Sequence, residues 1–273
     1  MLHAHLLDPC VEPVDPDPPV PEGFEEMEVG GRVRIAWPPG VMEPSRIREL
    51  AGYVEEGIDL GAAVTDTEPR ERSTVVVYES LVALREAHEL PEWTHGIYDG
   101  AIRTAADGRH LRQVLRHEAT HAQLHNAIGC VPTWINEGLA KYVQGYASDV
   151  VEPWMRQIES REALPFDALA VPTLVGVAED DDVAVHYAQS LAMVLWLEKR
   201  VGIPEAVDRL RAERIDPEHL WSALMPAETT DDYVGFLVEH LRLPRRGPCV
   251  LRVDDVDALR CLTPAEQRVA SAQ

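Results

Sequence analysis

Two periods of apolar residues alternate along this chain, and the changes between them mark out its elements. Val33 and Ile35 alternate with polar neighbours between Arg32 and Trp37, a strand pattern. Ile47, Leu50, Val54 and Ile58 then recur at helical spacing over residues 44–62, with Pro44-Ser45 near the start. Thr74 to Tyr78 is β-branched and aromatic and reads as a buried strand. Leu81 to Ala87 reads as a short helix. Gly96 to Ala105 holds an Asp99-Gly100 turn between short apolar runs, a hairpin signal.

The pattern turns helical from there on. Val114, Leu115, Ala119, Ala122 and Ile128 give a largely buried helix, with Asp107 expected to cap its start and Gly129 its end. Pro132 follows, and Thr133 is expected to cap a second helix running to about Gly145. Residues 150–160 suit a short helix, and Pro165 and Pro172 break the pattern after it. The acidic cluster Asp180-Asp181-Asp182 precedes a helix carrying Leu191, Val194, Leu195 and Leu197 and ended by Gly202; its spacing matches no calcium loop, so solvated capping carboxylates are expected. Helical spacing returns over 204–212, 217–224 and 230–241. The order predicts an α+β fold: a small twisted sheet with helices packed on it, then a mostly helical half.

Size and composition bound the rest. At 273 residues, of which 45% are hydrophobic, the chain can bury a sizeable core. Residues 1–24 are expected to form a tail rich in proline and acidic residues, residues 25–243 one domain, and residues 244–273 a tail whose few core candidates are Val250, Leu251 and Val253. The 47 acidic residues against 25 basic ones give a net charge of −22, which repels phosphate backbones and anionic lipid, so neither nucleic acid nor membrane is an expected partner. The first ten residues lack a basic start and a long apolar stretch, so a cytoplasmic chain is expected; a different start would make it an exported one. Cys10, Cys130, Cys249 and Cys261 form no Cys-x-x-Cys pair; Cys249 and Cys261 could bridge, and free thiols fit equally well.

The chemistry gathers in His117-Glu118-Ala119-Thr120-His121. Histidines four apart on a helix lie one turn above each other, so both imidazoles can reach one metal ion, with Glu118 beside them to hold a water. Two residues compete for the third ligand. A rigid helix carries His125 away from the point where His117 and His121 converge. The reversal at Gly129 and Pro132 instead carries Glu137 back toward it. Two histidines and one carboxylate leave a fourth position for water, as catalytic zinc requires.

These residues carry a resemblance. His117-Glu118-x-x-His121, Trp134-Ile135-Asn136-Glu137-Gly138-Leu139-Ala140 and Tyr187-Ala188-Gln189-Ser190 together resemble the gluzincin zinc metallopeptidases of the MA clan, small bacterial peptidase-MA-like domains above all, and the catalytic domain of M1 aminopeptidases. The match runs in order and spacing over about residues 25 to 240, and it implies a zincin-like fold. Relatives that use a third histidine set it six residues after the second, where this chain has Ala127. The resemblance implies one zinc per chain held by His117, His121 and Glu137. Glu118 would be the general base, passing its proton to the leaving amine, and Tyr187 the donor to the oxyanion, with His186 a lesser stand-in. The substrate would be a peptide or protein.

Two departures qualify the match. Thermolysin-like enzymes carry aspartate four residues after their glutamate ligand, where this chain has Lys141. The run with which M1 enzymes hold a substrate's free amine has no equivalent, so an endopeptidase is expected. The alternative from another class is a non-catalytic, zinc-stabilised binding or scaffold protein, for which Glu118 would have no use.

Overall fold

The computed structural model describes residues 18–129, 131–145, 180–213, 249–250 and 260–261. The chain falls into two compact units, Met1–Val131 with Pro172–Gly176 and Pro132–Val171 with Val177–Gln273. The helices expected at 150–160, 217–224 and 230–241, and most of both tails, lie outside the described residues. Among the described residues, no helix is long and apolar enough to cross a membrane.

The first unit is built on a five-stranded sheet. Its strands are β1 (Glu25–Val29), β2 (Val33–Trp37), β3 (Ser73–Tyr78), β4 (Gly96–Tyr98) and β5 (Ile102–Ala105), in the order β1-β2-β3-β5-β4. β2, β3 and β5 are parallel, while β1 and β4 run antiparallel at the two edges. All six side chains of β3 are buried, which accounts for its near-continuous run of valines at the centre. Val75 and Val77 join the core beneath α1 (Pro44–Thr65) and α3 (Leu111–Ile128), whereas Val76 and Tyr78 pack with Leu84 of α2 (Leu81–His88) on the opposite face. β1 was not foreseen in the acidic run Glu-Glu-Met-Glu-Val; it pairs with β2 and packs Met27 and Val29 against the core, leaving its glutamates at the exposed edge.

α1 turns Ile47, Leu50, Ala51, Val54 and Ile58 inward, where they meet Leu111, Leu115, Ala119 and Ala122 of α3. The helices approach closely at Gly57. A Cβ built there would lie 2.8 Å from both the Cβ of Ala119 and the Cα of Arg116. An ionic cluster joins the same helices. Arg112 donates to Glu56 at 2.7 and 3.0 Å, and Arg116 donates to Glu56 as well. Burial raises the pKa of the Glu56 carboxyl, but hydrogen bonds and charge from the two arginines outweigh it and bring it from 4.5 to about 2. A depressed folded value means that this contribution is present above pH 4.5 and is lost as pH falls toward 2. Thermal unfolding should therefore separate wild type from Glu56→Gln at neutral pH, with the gap closing as pH drops through that window. A gap independent of pH would mean that the arginines do not act on Glu56.

Two expected caps are corrected. Asp107 does not cap α3. That helix starts after His110, whose φ of 57° is left-handed and whose side chain makes no cap hydrogen bond. Asp107 instead accepts from the Leu81 N–H at 2.8 Å, at the start of α2. Thr133 is the first residue of α4 (Thr133–Gln144), and Pro132 stands at the cap without a side-chain hydrogen bond. Proline has no side-chain acceptor to offer, and its φ of −53° and ψ of 147° set the extended conformation from which the chain enters the helix.

In the second unit α4 packs against α5 (Asp180–Arg200), which α6 (Ile203–Glu213) follows. The Asp180–Asp182 triplet therefore lies within the first turn of α5, not ahead of it. Trp134, Ile135, Leu139, Ala140 and Val143 are the buried apolar residues of α4, and Ala188, Leu191, Ala192, Val194 and Trp196 are among those of α5. Contact is tight at Gly138, where a Cβ would lie 2.4 Å from the Ser190 carbonyl oxygen and 2.6 Å from Val194 Cγ2. The short strands β6 (Cys249–Val250) and β7 (Arg260–Cys261) pair antiparallel, with Cys249 opposite Cys261.

Candidate metal centre

α3 presents His117 and His121 one turn apart, and both are buried, 6% and 7% exposed. Their ring centroids lie 4.6 Å apart with the rings perpendicular. Glu118 is equally buried at 6%. It abuts the edge strand β4: a Cβ added to Gly96 would lie 3.1 Å from Glu118 Oε1 and 2.7 Å from Val114 Cγ1. Only glycine at that position leaves the carboxylate its room.

The turn bearing His121 is held in place by polar contacts. Gln123, fully buried, accepts from the Arg70 N–H at 2.7 Å and donates to Thr67 Oγ1 at 3.0 Å and to the Glu68 carbonyl at 2.9 Å. The Arg70 guanidinium donates to the Arg72 carbonyl, the Ala122 carbonyl and the Tyr98 hydroxyl, at 2.7, 3.3 and 3.1 Å. Thus the segment before β3 fixes both α3 and the edge strand. Burial raises the Tyr98 hydroxyl pKa, against the opposing charge of Arg70. Burial, aided by the charge of Arg70, lowers that of His125. The His125 ring stands 6.2 Å from that of Tyr98, centroid to centroid.

One donor atom from each of His117, His121 and Glu137 lies within 4.8 Å of the other two. His125 is not part of that group. Donors about 2.1 Å from one tetrahedral ion stand about 3.4 Å apart, a spacing that lies inside this bound. Two imidazoles and a carboxylate form a borderline-soft nitrogen and oxygen set, which suits zinc better than magnesium or calcium. The residues present fit the metal that the sequence implies.

Tyr187 lies on α5, half-buried, with the Lys141 Nζ 4.4 Å from its ring centroid. His186, the lesser stand-in, is 2% exposed, and its Nδ1 lies 3.3 Å from Ser190 Oγ.

No family model matches the chain, and no curated protein matches it. Among solved structures it is similar to an M1 zinc metallopeptidase from Deinococcus radiodurans, at 14% identity and a TM-score of 0.47, over 78% of this chain and 50% of that one. It is also similar to native yeast LTA4 hydrolase, at 15% identity and a TM-score of 0.48, over 78% of this chain and 38% of that one. The chain spans half or less of the length of these proteins. Likenesses this slight leave the assignment to the site's own residues.

Sequence reading missed Gly96, Arg70 and Gln123. Gly96 carried a signal in hindsight, since glycine inside a short strand marks close approach by another group. Arg70 and Gln123 carried none, because their partners lie about fifty residues away in the chain.

Proposed function

We propose that this chain is a zinc-dependent metallopeptidase of the gluzincin kind, and an endopeptidase. The observation that carries the reading is the convergence of His117, His121 and Glu137 donors beside a buried Glu118. His117, His121 and Glu137 would hold one zinc ion. When bound, zinc supplies Lewis acidity, bringing the pKa of its water toward about 7 and polarising the scissile carbonyl. Glu118 accepts the proton of the attacking water and delivers it to the departing amine. Tyr187 donates its hydroxyl hydrogen to the oxygen on which negative charge develops. Proton transfer through Glu118 makes a covalent acyl-enzyme unnecessary.

The edge strand β4 supports a peptide as substrate. Among the described strands it pairs only with β5, and it runs alongside α3 at Gly96, next to Glu118. An extended peptide laid along β4 would form main-chain hydrogen bonds there, the mode of recognition in which a ligand adds a strand. The run with which M1 enzymes hold a substrate's free amine has no equivalent in this sequence, and internal cleavage is proposed on that ground.

The test is a mass-spectrometric screen of a peptide library. The proposal expects cleavage at internal bonds, abolished by a chelator and restored by added zinc. Cleavage that survives chelation, or release of single amino-terminal residues only, would overturn it.

A further inference from the structure

We infer that Lys141 is a positioning residue for Tyr187, holding its ring and strengthening its hydroxyl as a hydrogen-bond donor; this rests on the reading of Tyr187 as oxyanion donor. The Lys141 ammonium lies 4.4 Å from the Tyr187 ring centroid. That is within the range of cation–π attraction, which pulls ring electron density toward the cation. Both residues are half-buried, so water screens the contact less than it would on an open surface.

The packing of α4 on α5 dictates the pairing. Gly138 meets Ser190 so closely that the two helix backbones nearly touch. Three residues on in α4 lies Lys141, and three residues back in α5 lies Tyr187. Each step is about one helical turn, so the neighbouring pair along the same seam is Lys141 with Tyr187. Lys141 is also in the last turn of α4, where the helix dipole favours a cation. The place that thermolysin-like enzymes fill with aspartate is here given to a charge that acts on the tyrosine.

The chemical consequence follows from the sign of the charge. A phenol polarised by a cation is a better hydrogen-bond donor, and the gain grows as the acceptor becomes an oxyanion. The interaction is therefore stronger in the transition state than in the ground state, and it should act on kcat more than on KM. A residue that merely packed would affect folding and leave this split unmoved.

The test uses the full chain and the best-cleaved peptide of the library. Lys141→Met should lower kcat about tenfold with KM nearly unchanged, and Lys141→Arg should recover most of the loss. In a Tyr187→Phe background, Lys141→Met should cause no further loss. An unchanged kcat in Lys141→Met, or an equal loss in both backgrounds, would overturn the inference while leaving Tyr187 as donor. If Tyr187→Phe alone left kcat unchanged, the reading of Tyr187 would fall and the inference with it. A measurement independent of activity is the proton NMR shift of the Lys141 ε-methylene. It should lie upfield through the ring current and return to the ordinary position in Tyr187→Leu; an ordinary shift in the wild type would also overturn the proposal.

Discussion

Glu118→Gln should abolish peptide hydrolysis while leaving zinc binding and folding intact. The substitution keeps the shape of the side chain, so its close fit against Gly96 is preserved. What it removes is a carboxylate able to accept a proton. General-base catalysis contributes about 10² to 10⁴ in rate, so kcat should fall by about a thousandfold or more. Zinc content per chain should match wild type, and the unfolding temperature should change little. Both must be measured on the same preparation. Activity close to wild type would mean that another base operates, and Glu118 would then be a buried carboxylate of unknown use.

Gly138→Ala is expected to damage the metal centre without touching a ligand. The added Cβ would meet the Ser190 carbonyl at 2.4 Å and Val194 Cγ2 at 2.6 Å. The first of these is backbone, so it cannot swing aside; α4 must shift away from α5. Glu137 is the residue before Gly138 and would move with the helix. Overpacking of this kind costs about 1–3 kcal/mol of stability, and displacement of the carboxylate should weaken zinc binding about tenfold or more. Gly52→Ala provides the contrast. Gly52 is exposed in α1 with nothing within 4 Å of its Cβ position. Alanine there should stabilise the protein by about 0.5–1 kcal/mol, because glycine is a poor helix former. Calorimetry and zinc titration of the two variants separate the effects. Equal behaviour of both would mean that the α4–α5 seam is less tight than the structure implies.

The parts legible from sequence share one property: their signals are local. The valine-rich β3, the spacing of Ile47, Leu50, Val54 and Ile58 in α1, and the Asp99-Gly100 hairpin each follow from neighbours in the chain. Even the hairpin closure is local, since Asp99 accepts from Arg103 at 2.8 Å within the same turn. The placing of His117 and His121 one turn apart was legible for the same reason, and Glu137, whose donor lies near theirs, follows the glycine and proline that mark the reversal. Features set by distant partners were not legible. Asp107 has the residue type of a helix cap and lies near α3, but the unpaired N–H it serves belongs to α2. β1 is a different case: its partner β2 is next in the chain, and the alternation of Met27 and Val29, which pack against the core, was masked by the glutamates between and before them. Lys141 read only as a mismatch, because its meaning depends on the register of α4 against α5.

The central claim is that three side chains, His117, His121 and Glu137, hold a single zinc ion. Titrating zinc into metal-stripped protein by calorimetry tests it most directly. The account predicts one site per chain in the wild type, loss of about a hundredfold or more in affinity for His117→Ala and for Glu137→Ala, and no change for His125→Ala. A wild type that takes up no zinc, or a Glu137→Ala variant that binds it as tightly as the parent, would contradict the account.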